Sequence, residues 1–351
     1  MKPYPNLITR FVLLLSIMIG LVACKPNPQD DIALFQPFIT ENINKKSADP
    51  YISSTVKPGD KMYEILVNIQ HGRHDIASSK LQSLIEGNDS DAMVWYAKLI
   101  YRASVNNRTK ALSLYQKAMD NDNPYAYVML SPGLISSGCV SYFGEKNCTL
   151  EHFNKAIELF KPLAAQGDLR AQYFLLQQQE LDQSKETRAQ YIQEVIRFSQ
   201  AHYYQPLMDY VNTILTRPQG KDKYEARTTE QYNLAIDLLT IASNNNYIPA
   251  IKRLLEVDLD EEIFTKRMEQ LTRLGSTFEI YENYFNSQDE HERYYYSMLF
   301  KQLTGDNKLS SSYRATEDEV KMINEKIEKV ISSMTPMVYI DGFTSRDDWV
   351  D

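Results

Sequence analysis

The residue types that most often do chemistry are sparse in this chain and rarely stand together. His71 and His74 in "HGRH" have a helical spacing, but Gly72 weakens a helix there and no acidic second shell is evident to orient an imidazole. They read as solvent-facing histidines. "QDEHER" groups Asp289, Glu290, His291 and Glu292, and "DLDEE" spans 258–262; both read as charged first turns of helices, where acids suit the helix dipole. There is no G-x-S-x-G, no H-E-x-x-H and no Gly-rich phosphate loop. Cys139 and Cys148, even with His152 nearby, supply too few ligands for a metal site. No catalytic residue, metal, cofactor or small-molecule substrate is therefore expected.

The remaining cysteine carries a different chemistry. Lys2 and Arg10 precede "FVLLLSIMIGLV", residues 11–22, an apolar run of twelve. A relaxed bilayer span needs about twenty residues, whereas twelve suits a signal-peptide core. The run ends in "LVAC", which resembles the bacterial lipobox. That resemblance implies a signal peptide over 1–23, with Cys24 as the lipid-bearing first residue of the mature chain. Lys25 in place of an acid implies the outer membrane, with the protein facing the periplasm. In that oxidising compartment Cys139 and Cys148 are expected to join, closing a short loop. Residues 24–60 carry Pro26, Pro28, Pro37, Pro50 and Pro58 and no long periodic stretch, and are expected to form an extended tether.

These groups need a scaffold, and its signature is a repeat. A small residue, an apolar residue four later and a second small residue eleven after that recur as Ala77, Leu81, Ala92; Ala111, Tyr115, Ala126; Ala156, Phe160, Ala171; and Ala235, Leu239, Ala250. Ile192, Ile196 and Leu207 form a degenerate copy. Such spacings, between 34 and 45 residues, mark stacked helix pairs. In the third copy Leu159, Phe160, Leu163 and Ala164 make one stripe, Gly167 can end the helix left-handed, and Asp168 can cap the next. The stretch "KAIELFKPLAAQGDLRAQYFLL" resembles a Sel-like repeat, a relative of the tetratricopeptide repeat. The family's glycines are mostly replaced, by Asn121 and by Asn244 to Asn246, residues that tolerate the left-handed turn. The resemblance covers roughly 62–257 and implies an all-α fold, a right-handed solenoid of antiparallel helix pairs over 61–258.

Beyond it, 259–334 reads as divergent helices. Thr316 and Glu319 form a capping box before a final helix that closes the array. Tyr281, Tyr284, Tyr294, Tyr295 and Tyr296 exceed what a polar helical surface needs; they pack between hairpins or offer contact area to a partner. The segment 335–351 leaves the helix at Pro336 and alternates Tyr339, Phe343 and Trp349 with acids. It either folds back over the last repeat, which is favoured, or projects as a recognition segment. Tyr339, Phe343 and Trp349 thus join the tyrosines as candidate partner contacts.

The formal charge is −8, becoming −10 once Lys2 and Arg10 leave with residues 1–23. Nucleic acid is an unlikely partner for such a chain. The expected function is binding of another protein, from a lipid anchor that is the sole membrane contact. Sel-like lipoproteins include immunity proteins that neutralise phospholipase effectors of type VI secretion, which is what the resemblance implies here. The alternative is an envelope scaffold or adaptor that organises outer-membrane or peptidoglycan machinery.

Overall fold

The computed structural model describes residues 26–132, 138–215, 228–257 and 260–350. The signal-peptide and Cys24 expectations lie outside these residues. The chain is all-α: seventeen α-helices and two short 3-10 turns occur among the described residues, with no strand.

Five of the helix-to-helix steps repeat one local design. The pairs are α3 (His74–Glu86) with α4 (Ser90–Ile100), α5 (Val105–Asp120) with α6 (Pro124–Met129), α8 (Leu150–Ala165) with α9 (Leu169–Gln177), α10 (Arg188–Gln200) with α11 (Gln205–Leu215), and α12 (Thr229–Asn244) with α13 (Ile248–Val257). Between the members of each pair one residue takes the left-handed conformation: Asn88, Asp122, Gly167, His202 and Asn246, at φ of 61°, 52°, 95°, 59° and 62°. In the first three pairs the next residue, Asp89, Asn123 or Asp168, caps the second helix with its side-chain oxygen. Asn121 was expected to take the left-handed turn, but its φ is −99° and Asp122 turns instead.

All fifteen residues of the repeating triads are buried, fourteen with no exposed surface and Ile196 at 8%. Small side chains at the crossings let paired helices approach, and the intervening Leu81, Tyr115, Phe160, Ile196 and Leu239 fill the space between pairs.

The segment expected as an extended tether is largely folded onto the body. Pro28–Asn42 is a helix, α1, capped by Asn27 and started by Pro28. Its buried stripe of Asp31, Phe35, Phe38 and Ile39 packs against α10 and α12. Residues 43–53 then run along the turn after α12: Ser47 N donates to Asn244 O, Asn246 Nδ2 to Asp49 O, and Ser53 Oγ to Asn245 O at 2.7 Å. Prolines disguised this segment, yet Pro28 starts α1 and Pro37 sits inside it.

Three further helices, α14 (Glu261–Arg273), α15 (Phe278–Asn286) and α16 (Glu290–Thr304), precede the last, α17 (Glu317–Ser333). Thr316 and Glu319 form the reciprocal capping box of α17. Ile323 and Ile327 of α17 bury against Ile280, Leu299, Phe300 and Leu303 in a cluster separate from the main cores. Between α1 and α3, α2 (Tyr63–Gln70) packs on α3, and α7 (Cys139–Phe143) precedes α8.

Candidate functional site: the C-terminal segment and its flanking cavities

Residues 335–341 follow an extended path that begins at the turn after α14, where Thr335 N donates to Arg273 O and Met337 N to Leu274 O, and residues 342–350 continue it through a turn and the 3-10 turn Arg346–Asp348. The segment then crosses to the opposite end of the sequence. Thr55 N donates to Val338 O at 2.8 Å, Thr55 Oγ1 to Ile340 O at 2.7 Å, and Tyr63 OH to Pro336 O at 2.7 Å. The Gln70 amide reads the segment twice, donating to Met337 O and accepting from Tyr339 N, both at 3.0 Å. An extended chain with no neighbouring strand needs such side-chain partners for its main-chain groups.

The segment therefore folds back and does not project: Met337 joins the core of the last repeats. It then runs beyond them onto the first repeats, whose helices supply further partners for its backbone. Met337, Val338, Ile340 and Trp349 have no exposed surface. Phe343 lies against Tyr125, Phe160 and Phe174, with ring centroids 4.9, 5.4 and 5.3 Å away. Gly342 is required for this approach, since a Cβ there would meet the Tyr125 ring at 2.3 Å. Tyr339 OH donates to Asp348 O at 3.2 Å. Of the candidate contacts, Trp349 is thus core, and Tyr339 and Phe343 are half-buried packing residues.

Lys98 holds this segment from α4. It is 4% exposed, and its ammonium donates to Gly342 O at 2.8 Å and Thr344 O at 3.2 Å. Trp95 and Trp349, their own rings 5.3 Å apart, lie beside it, 5.0 and 5.2 Å from Nζ to the ring centroids. Burial pushes the Lys98 ammonium down to about 8, against a pull upward from Asp341. Asp341, 6% exposed, accepts from the N–H groups of Phe343 and Thr344 and from Tyr203 OH.

Two cavities lie either side of residues 343–347. One, of about 490 Å³, is lined by Tyr173, Tyr203, Asp209 and Tyr247 among others. Burial raises the Asp209 carboxyl, which accepts from Tyr173 OH at 2.5 Å and Gln205 Nε2 at 2.9 Å. The other, of about 400 Å³, lies between α4, the α7 loop and the segment, and is lined by Lys98, Tyr101, Arg102, Tyr142 and Arg346 among others.

Cys139 and Cys148 are joined in a disulfide, Cα–Cα 6.0 Å, beside this second cavity. Neither histidine of "HGRH" is simply solvent-facing. His71 is 7% exposed with Nε2 2.7 Å from Gly275 O, because the turn after α14 packs over it, and His74 is half-buried. Asp289 and Asp260 are helix caps, each with two glutamates in the following first turn; residues 258–259 of "DLDEE" lie outside the described residues.

The five tyrosines of α15 and α16 divide by exposure. Tyr284, Tyr294, Tyr295 and Tyr296 are half-buried against the α15–α17 core, while Tyr281 is 37% and its neighbour Phe285 54% exposed, rings 4.8 Å apart. On the same helix burial pushes the Glu279 carboxyl up to about 7.

Sequence reasoning missed Lys98, Gln70, Asp341 and Arg346. Lys98 had a legible signal: it is the one formal charge within "AMVWYAKLI", a run that would otherwise be wholly apolar in a buried helix. Compared with known proteins, the chain matches no family model, no curated protein and no solved structure. No described helix is long and apolar enough to cross a membrane.

Proposed function

We propose that this chain is a protein-binding solenoid of Sel-like helix pairs, carried on a lipid anchor at Cys24 and facing the periplasm from the outer membrane. The more specific reading is an immunity protein that binds and neutralises a type VI secretion phospholipase effector. The helix-pair reading is supported by the left-handed turn that recurs at 88, 122, 167, 202 and 246 in step with the buried triads. The binding reading is supported by one observation above others: aromatic rings remain in solvent on α15, at Tyr281 and Phe285, while those of residues 335–350 are taken up inside the molecule. Exposed, adjacent aromatic rings are favourable anchors for a partner. In this reading the partner docks on α15 and α16.

The test is capture from envelope extracts by the soluble form, residues 25–351, beside the double variant Tyr281→Ala/Phe285→Ala. One dominant lipase, lost in the variant, is the expected result. Several wall or membrane components instead would favour the scaffold reading. Equal capture by both forms would remove α15 from the interface.

A further inference from the structure

The 400 Å³ cavity beside the disulfide is electrostatically unbalanced. Its lining includes three cations, Lys98, Arg102 and Arg346, and one carboxylate, Asp347. Arg102 takes that carboxylate at 2.5 Å, with the Asp347 side chain 72% exposed. Neither Lys98 nor Arg346 makes an ion pair among the described residues. The Arg346 guanidinium has five N–H donors, and among the described residues its one hydrogen bond is a long one, Nη1 to Lys98 O at 3.5 Å. Burial pushes the Arg346 guanidinium down as well.

A second observation points to the same place. Among the described residues four buried side-chain polar atoms lack a hydrogen-bond partner, and two of them belong to residues packed behind the cavity wall, Tyr115 against Phe143 and Arg108 over Tyr142. Tyr115 OH belongs to a residue with no exposed surface, its ring 5.8 Å from Phe143, in the field of Tyr101 and Arg346. Arg108 Nε is unpartnered with its guanidinium 5.1 Å over Tyr142. His74 Nε2 is unpartnered, and the Arg346 charge helps to hold its ring below the usual histidine range, after burial. Buried polar groups without partners are rare. A buried ammonium and a half-buried guanidinium facing a cavity larger than a few waters, with one carboxylate in its lining, suit an acceptor-rich anion.

We propose that this cavity is a binding site for a small oxyanion, a phosphate or carboxylate group, received by Lys98 and Arg346 with Arg102 at the rim. A guanidinium with unused donors is suited to an oxyanion because its planar fork can bond two oxygens at once. The Tyr101, Tyr142, Phe143 and Phe343 rings give the cavity apolar walls, so an oxyanion carried on an aromatic group also fits. This site is distinct from the α15 surface, and its failure would leave that reading untouched.

The chain has its own reporter. It contains two tryptophans, and both stand against Lys98. The soluble form, residues 25–351, is titrated with inorganic phosphate, phenyl phosphate and acetate at constant ionic strength made up with chloride, following tryptophan fluorescence. Saturation by at least one of the three is expected, weakened roughly ten- to a hundredfold in Arg346→Gln. Tighter binding of phenyl phosphate than of phosphate assigns the aromatic walls to the ligand, and equal binding assigns a free anion. As a measurement that needs no variant, the saturating anion should move the alkaline midpoint of the fluorescence titration upward, because it stabilises the Lys98 ammonium. A response no different from chloride, an unchanged affinity in a folded Arg346→Gln, or an unmoved midpoint overturns the proposal.

Discussion

Asp31 and Arg188 join the N-terminal helix α1 to α10, in the middle of the chain, through one ion pair. The Arg188 guanidinium donates to Asp31 Oδ2 at 2.7 Å, with side chains 11% and 1% exposed, and Tyr210 OH adds a third donor at 2.9 Å. Removing one partner leaves the other buried and uncompensated, so Arg188→Leu should cost about 3–5 kcal/mol. The double variant Asp31→Leu/Arg188→Leu should be markedly less destabilised, and denaturant unfolding of the three proteins measures the difference. Lys98 makes a prediction in pH. A base whose folded pKa is depressed opposes folding while it is charged, and this is fully felt below about 8. Above about 8 the folded state releases that proton while the unfolded state keeps it to about 10.4. The unfolded chain then binds more protons, and stability rises with pH. The buried tyrosines Tyr115 and Tyr203 are held well above their ordinary range, so they act in the opposite direction, but only once unfolded tyrosine ionises near about 10. Chemical unfolding between pH 8 and 10 should therefore show a gain in stability that Lys98→Met abolishes. That variant should itself be destabilised at neutral pH, since the Gly342 and Thr344 carbonyls lose their donor.

At the scale of elements, the C-terminal segment behaves as core. An appended segment, with α17 closing the array, would be removable after Met334 with little loss of helical signal. The structure reverses that expectation. Met337 belongs to the core built on α10 to α14, Val338, Ile340 and Trp349 to the core built on α2 to α7, and Phe343 packs against a third. Truncation after Met334 should lower the melting temperature and broaden the transition, as followed by circular dichroism, because it removes the side chains that join these clusters. The disulfide is a smaller and separable contribution. Cys139 and Cys148 are nine residues apart, and opening so short a loop costs about 2–3 kcal/mol in the chain-entropy account. Cys139→Ser/Cys148→Ser should fold with a reduced denaturant midpoint, and the parent thiols should resist labelling until a reductant is added.

At the scale of the whole molecule, folding and anchoring are separate tests. Cys24→Ser should abolish lipid labelling and leave an unprocessed precursor; maturation and outer-membrane fractionation of that variant would reject the anchored reading. The body would fold alike in either case, since α1 docks through residues from Asp31 onward. What was legible in the sequence is what neighbouring helices decide between themselves. The triads, the turn and cap at Gly167 and Asp168, and the capping box at Thr316 and Glu319 each arise from contacts within one helix pair or one turn, so spacing alone reports them. Asp31 with Arg188 and Lys98 with Gly342 lie 157 and 244 positions apart, and no periodicity links such residues. The prolines of residues 26–60 pointed to an extended stalk, although the Asp31, Phe35, Phe38, Ile39 stripe was there to be read as a helix face. Residues 335–350 bear no helical period, and an extended segment becomes core only where other elements supply its backbone partners. Gln70, Thr55 and Lys98 do so only after stacking has brought α2 and α4 beneath it. The local pattern thus set which helices form and pair, while the placement of both chain ends, and the charged cavity that the C-terminal segment forms with α4 and α7, was decided by tertiary packing, since burial and polar satisfaction there are properties of the assembled surface.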